Sequence, residues 1–210
     1  MELKLLSVNV GRPRKIGTRA GRPVRSAIGK IPIAAERIEV RALGLDGDKQ
    51  ADLRVHGGVD KAVYAYPADN WPWWEQEKQF PCRVGGFGEN LTLSGGDETQ
   101  MRIGDRFSWG QVILEISQPR SPCSKFQLYS GRDDASALMT LSGRCGWYLR
   151  VIEEGVAPAR DTALTRVFAS DGPTVRETFF AMHDGRTAVE VRRRIGETPA
   201  LSKAWRKQFV

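Results

Sequence analysis

The sequence predicts a mainly β body, a barrel or a sandwich, followed by a tail of three short helices. Two observations carry this reading. Up to residue 168, apolar residues recur in short runs between glycine turns, a pattern of closely connected strands that does not resemble alternating βαβ units. From Asp171 the period lengthens, and three helix-start signals follow one another. The expected division is a body over residues 1–165, including a basic N-terminal segment, and a three-helix domain over residues 166–210.

Each element follows in order. Leu3, Leu5 and Val8, with Leu6 and Val10 between them, read as a buried first strand. Residues 11–30, GRPRKIGTRAGRPVRSAIGK, are rich in Gly, Pro and Arg and read as a long basic loop, a kind more often functional than idle. Ile38 and Val40 mark a second strand, and LGLDGD supplies turn residues after it. Residues 62–66 are a short β-prone run. Pro67 then suits the first turn of a helix, PADNWPWWEQEKQ, whose start Pro72 limits or kinks. Glycines punctuate residues 85–96 around the strand-like residues 90–93. Residues 106–109 and 111–117 flank Gly110, and Val112, Leu114 and Ile116 alternate, which reads as a β-hairpin. Residues 147–152 give another strand and residues 164–168 the last. In the tail, Thr174-Val-Arg-Glu177 is a capping box that opens a helix of about nine residues. Thr187-Ala-Val-Glu190 is a second box with Gly196 as its stop, and Thr198-Pro199 is a third start.

Composition narrows the function classes. The 210 residues are 40% hydrophobic and 27% charged, ordinary globular values that exclude wholesale disorder. No apolar run is long enough for a spanning helix, so no membrane partner is expected. The start, MELKLLSVNV, shows no secretory signal, which makes the cytoplasm the expected compartment. Three cysteines, Cys82, Cys123 and Cys145, are too few and too odd in number for a disulfide scaffold. They form no CxxC pair, they cannot ligate an iron–sulfur cluster within one chain, and with only His56 and His183 a Cys/His zinc site is short of ligands. The net charge of +7 is uneven: +7 over residues 1–42, −4 over 43–165 and +4 over 166–210. Basic ends point to an anionic ligand, a nucleic acid or an acidic partner, against the bland alternative of a solvated basic surface.

Three segments can carry chemistry. Cys123 sits in Gln118-Pro-Arg-Ser-Pro-Cys-Ser-Lys125, where two prolines stiffen the loop. Arg120, Lys125 and a helix starting just after the thiol all favour thiolate, the form that ligates metals or attacks electrophiles. Cys82 and Cys145 read as small core hydrophobes. The second segment, Gly44-Leu-Asp-Gly-Asp48 through His56-Gly-Gly58 to Lys61, gathers acids, glycines and a histidine able to relay a proton, or it is a turn-rich connection with a buried histidine. The third, residues 85–92, fits neither a dinucleotide fingerprint nor a P-loop, but Asn90 offers donors and an acceptor suited to a polar heterocycle. Trp71, Trp73 and Trp74 are expected to pack on the body in preference to stacking on a ligand.

Taken in order, Gly44-Leu-Asp-Gly-Asp48, His56-Gly-Gly-Val-Asp-Lys-Ala-Val63, Phe87-Gly-Glu-Asn-Leu-Thr92, Ile103-Gly-Asp105 and Gln118-Pro-Arg-Ser-Pro-Cys123 resemble the MOSC domain, the C-terminal domain of molybdenum-cofactor sulfurases. More narrowly they are similar to its stand-alone, YiiM-like bacterial branch, over about residues 25–165 with a helical tail after it. The resemblance implies a MOSC-type β-barrel that binds a molybdenum cofactor, a Mo-pyranopterin, with Cys123 as the metal and catalytic thiolate. It further implies cofactor contacts from Asn90, Ser121 and Arg120, and His56 as a catalytic residue that orients the site or relays a proton. Lys30, in the basic stretch, would meet the pterin phosphate.

The implied activity is reduction of N-hydroxylated compounds, such as N-hydroxylated bases, to amines. The chain lacks flavin, haem and iron–sulfur ligation, so a separate reductase is expected to donate the electrons. One rival is a sulfur-carrier or cofactor-handling protein with a persulfide on Cys123. A weaker rival is a nucleic-acid-binding protein using the short helices and Arg192-Arg193-Arg194 of the tail. The tail can equally dock the electron donor or a second subunit of a homodimer.

Overall fold

β1 (Glu2–Val10) sets the pattern. Its Leu3 and Leu5 are buried while their neighbours face out, the two-residue period of a half-buried strand. In the computed structural model, which describes residues 1–49 and 57–209, β1 closes a barrel. The other staves are β7 (Val63–Pro67), β8 (Leu91–Ser94), β9 (Arg106–Trp109), β10 (Val112–Pro119), β11 (Trp147–Glu153) and β13 (Ala163–Phe168). They run in the order β1-β8-β7-β11-β10-β9-β13, and β13 pairs back onto β1 with Leu3 opposite Leu164. Closure leaves these seven strands without a free edge. All contacts are antiparallel except β7–β8, where Ala65 faces Leu91. The interior holds Leu93, Phe107, Trp109, Leu114, Ile116, Trp147 and Leu149, all fully buried or nearly so.

Smaller strands decorate this frame. β2 (Arg14–Arg19) and β3 (Arg22–Ser26) form a separate hairpin, β4 (Ile31–Pro32) extends β1, and β5 (Arg37–Arg41) pairs with β6 (Gly44–Leu45) and β12 (Gly155–Pro158). The hairpin corrects the expectation of a basic loop over residues 11–30. Ala20 and Gly21 both have positive φ, +46° and +73°, the two-residue turn whose twist matches a hairpin. The predicted hairpin at Gly110 is present as β9–β10, with Leu114 opposite Phe107. After β7, short helical turns carry the tryptophans: Trp74 is fully buried, and Trp71 and Trp73 pack on the core as expected.

Between β10 and β11 lie α1 (Ser124–Ser130) and α2 (Ala135–Ser142). α3 (Val175–His183) opens with the predicted capping box: Thr174 Oγ1 accepts from Glu177 N at 3.0 Å, and Glu177 Oε2 accepts from Thr174 N at 2.8 Å. The second box does not form. Asp184 accepts from Arg186 N and Thr187 N, and this turn moves the start of α4 (Val189–Gly196) to an Ala188 cap. The third start also shifts: α5 (Lys203–Arg206) is capped by Ser202, whose backbone N–H is tied to Ser117 O of β10 at 2.9 Å. Among the described residues no helix is long and apolar enough to cross a membrane.

Candidate functional site

A cleft opens beside the ends of β1 and β10 and the start of β8. It encloses about 680 Å³, part of it continuous with solvent. Among the described residues five cations line it (Lys30, Lys49, Lys61, Arg120 and Lys125) against one carboxylate, Asp48. Cys123, Ser121, Asn90, Tyr64 and Tyr148 complete the parts that matter chemically. The fold therefore brings Cys123, Arg120, Ser121, Asn90 and Lys30 to one place from segments far apart in sequence. His56 lies outside the described residues.

The thiol is placed by the strand before it and the helix after it. Cys123 has an extended backbone (φ −144°, ψ 157°) and is the N-cap residue of α1. Its carbonyl accepts from Phe126 N at 2.9 Å and Ser136 Oγ at 3.1 Å, tying the loop to both α1 and α2. The side chain is half-buried and lines the cleft. The other two thiols do not line it. Cys145 is fully buried, and burial drives its thiol well above the usual range. Burial, with Glu75 nearby, pushes the Cys82 thiol up to about 12.

Arg120 is 4% exposed, and its guanidinium lies 4.9 Å from the Phe126 ring and 5.6 Å from the Tyr64 ring. Its Nη1 reaches Met139 Sδ at 2.8 Å. Among the described residues no carboxylate lies within ion-pair distance of it. Burying a charge is costly unless it is paired, and aromatic rings and a thioether stand where a counter-charge would offset that cost.

Lys30 is treated differently. Its Nζ is 2.5 Å from both oxygens of Asp48. Burial pulls the ammonium below its ordinary value, against the opposing pull of Asp48. Asp48 also accepts from Gly11 N at 2.7 Å and Asn90 Nδ2 at 3.0 Å. Asn90 spends its other donor on Asn9 O, and its Oδ1 accepts from Tyr64 N. Lys30, Asp48 and Asn90 thus form a brace across the cleft wall, with one acceptor lone pair of Asn90 left over. Glu89, beside Asn90 in the chain, is buried with no ion-pair partner among the described residues and accepts from Gly85 N, Phe87 N and Thr92 Oγ1, and burial pushes it up to about 7.

Sequence reasoning missed Tyr64 and Tyr148. They come together because β7 and β11 pair them directly, ring centroids 5.2 Å apart. Burial raises both phenols, so they present neutral hydroxyl groups. Lys61 was visible as the end of the histidine-glycine motif, and burial lowers its ammonium.

The described residues thus form a closed barrel with a cationic cleft, lined by the Cys123 thiol and by the Arg120 guanidinium, which has no carboxylate beside it. The MOSC domain pattern matches residues 52–163, and the chain belongs to the MOSC domain family. It is 36% identical to the uncharacterized protein YflK of Bacillus subtilis (strain 168), over 98% of this chain and 92% of that one. It is also 36% identical to protein YiiM of Escherichia coli (strain K12), over 88% and 82% of the two chains. A protein of Gibberella moniliformis named reductase is 35% identical over 75% of this chain, a match spanning 28% of its own length. The crystal structure of YiiM from Geobacillus stearothermophilus superimposes with a TM-score of 0.81 at 31% identity, covering 99% of this chain and 97% of that one.

The residues present fit a molybdenum-pyranopterin. Among the described residues no three His, Cys, Asp or Glu side chains cluster to chelate a metal, and Cys123 would offer one soft donor to a metal that brings its other ligands with it. Arg120, which lines the same cleft, would offer positive charge to the anionic part of such a group.

Proposed function

We propose that the cleft holds a molybdenum-pyranopterin and that the chain reduces N-hydroxylated compounds, such as N-hydroxylated bases, to amines. The overall reaction is R–NHOH + 2 e⁻ + 2 H⁺ → R–NH₂ + H₂O. The observation that carries the reading is one cleft containing both Cys123 and the carboxylate-free guanidinium of Arg120. Family membership and a relative named reductase support it.

When bound, the group supplies a two-electron redox centre with a position open to the substrate oxygen. Cys123 would hold it, and Arg120, Ser121 and Lys125 would bind its polar and anionic parts. The Lys30–Asp48–Asn90 brace fixes the wall against which it rests. Tyr64 and Tyr148 border the cleft with flat aromatic surface suited to a planar base. Tyr64 keeps its orientation by donating to Cys145 O at 2.8 Å. His56 is proposed to relay a proton to the leaving water. Electrons come from a separate reductase.

The test uses protein from a cofactor-competent host, with reduced methyl viologen as donor and an N-hydroxylated purine as substrate. Cys123→Ser is expected to lower the amine-forming rate at least about a hundredfold, the scale of removing a group essential to the reacting centre. Full molybdenum content and full activity in Cys123→Ala would overturn the assignment. A persulfide on Cys123 without molybdenum would replace it with the sulfur-carrier reading.

A further inference from the structure

The β2–β3 hairpin is a charged surface that the cleft chemistry does not use. From Leu3 to Ala35 the chain carries eight Lys and Arg and no Asp or Glu. The hairpin concentrates them. Lys15 stands directly opposite Arg25, and Arg19 directly opposite Arg22. All four are exposed. Like charges facing across a strand pair are destabilising. Elsewhere several arginines are matched by carboxylates: Arg41 meets Glu39 and Glu154, Arg106 and Arg150 share Glu115, Arg132 meets Asp134, and Arg193 meets Glu197. Among the described residues none of the hairpin cations has a carboxylate within ion-pair distance.

The hairpin is also placed with respect to the cleft. Its last residue, Ser26, and the adjoining Ala27 and Ile28 line the cleft wall. Gly17 lies so close to Leu128 of α1, the helix that follows Cys123, that a Cβ there would stand 2.7 Å from the Leu128 side chain. A macromolecule seated on the hairpin therefore stands beside the thiol. No aromatic side chain lies in residues 11–30, so the stacking platform that single-stranded nucleic acid binding uses is missing.

We propose that the β2–β3 hairpin is the docking arm for an acidic electron-transfer protein, one carrying a flavin or an iron–sulfur cluster. The proposal rests on the reductase reading of the cleft. Two electrons are delivered for each N–OH reduced, by two one-electron partners docking in turn or by one fully reduced flavin partner, the protons coming from solvent. Its acidic face replaces the missing carboxylates opposite the Lys15–Arg25 and Arg19–Arg22 pairs. Association is then steered by charge and weakens with salt.

The experiment compares full-length wild type with the quadruple variant Lys15→Gln, Arg19→Gln, Arg22→Gln and Arg25→Gln, none of which lines the cleft. Reduced methyl viologen reports on the cleft alone, and the variant is expected to keep that rate within about twofold, since these side chains are distant from the chemistry. The protein probes are an acidic [2Fe–2S] ferredoxin and a flavodoxin. At least one is expected to bind wild type, to lose about tenfold in affinity on raising salt across the physiological range, and to lose about tenfold again in the variant. Binding of neither probe, or equal binding to both proteins, overturns the docking arm. Hairpin-dependent binding of a single-stranded oligonucleotide that displaces the protein probe also overturns it, in favour of a nucleic-acid surface. Absence of viologen-driven turnover in wild type tells against the reductase reading, while the binding data still decide the hairpin.

Discussion

Two arginines, Arg120 buried and Arg150 half-buried, are handled in opposite ways. Arg150 lies between Glu115 and Asp60, 2.9 Å from each, and also donates to Ala200 O, so it joins the barrel to the tail. Arg120 is more deeply buried and has aromatic rings and a thioether where Arg150 has carboxylates. The difference separates structure from function. A guanidinium that serves the fold is given its counter-charges by the fold. Arg120 has no such counter-charge among the described residues, and on the proposed function an anion in the cleft would supply it.

Substitution sharpens the contrast. Arg120→Met keeps the packing against Tyr64 and Phe126 while removing the charge. Cofactor retention is expected to fall about ten- to a hundredfold, the worth of charge-assisted hydrogen bonds, with no loss of melting temperature. A clear drop in melting temperature would make Arg120 a structural residue. Glu89 comes next. In the folded chain it sits at about 7, against about 4.3 for an unperturbed carboxyl. Between those values the native state keeps a proton that the unfolded state has released, so stability falls as pH rises through that window and levels off above it. The contribution is on the order of 3 kcal/mol, read as the difference between urea unfolding at about pH 4.5 and about pH 7.5. Glu89→Gln should flatten it. Arg150→Met removes a cation from Asp60 and leaves Glu115 with Arg106 alone, and is expected to cost about 1–3 kcal/mol in the same assay, with cofactor content per folded molecule unchanged. The smallest effects concern the tail. Thr174→Ala breaks a formed capping box and should cost about 1 kcal/mol, or about 2–4 °C. Thr187→Ala removes no cap and should stay within about 0.5 kcal/mol.

The elements that were legible in the sequence are those whose cause is local. Gly110 between alternating apolar residues specifies a hairpin wherever it is placed, and Thr174 three residues before Glu177 contains its own hydrogen-bond partners. The β2–β3 hairpin was not legible, because its residues are largely exposed and a bulge between Lys15 and Gly17 interrupts the alternation. Thr187 misled for the opposite reason: a stronger local turn at Asp184 used its backbone first. In the site, Cys123 and Arg120 share one short motif and could be read together. That Lys30 is spoken for by Asp48, and that Tyr64 and Tyr148 meet, depend on strand pairing between distant segments. Neither can be read along the chain, nor can the absence of a carboxylate beside Arg120.

The most direct test of the central claim is molybdenum and pterin content after expression in a cofactor-competent host, with wild type beside Cys123→Ser and Arg120→Met. Both components are expected in wild type, with loss of metal in Cys123→Ser and depletion of pterin and metal together in Arg120→Met. Equal content in all three proteins, or none in wild type, would contradict it.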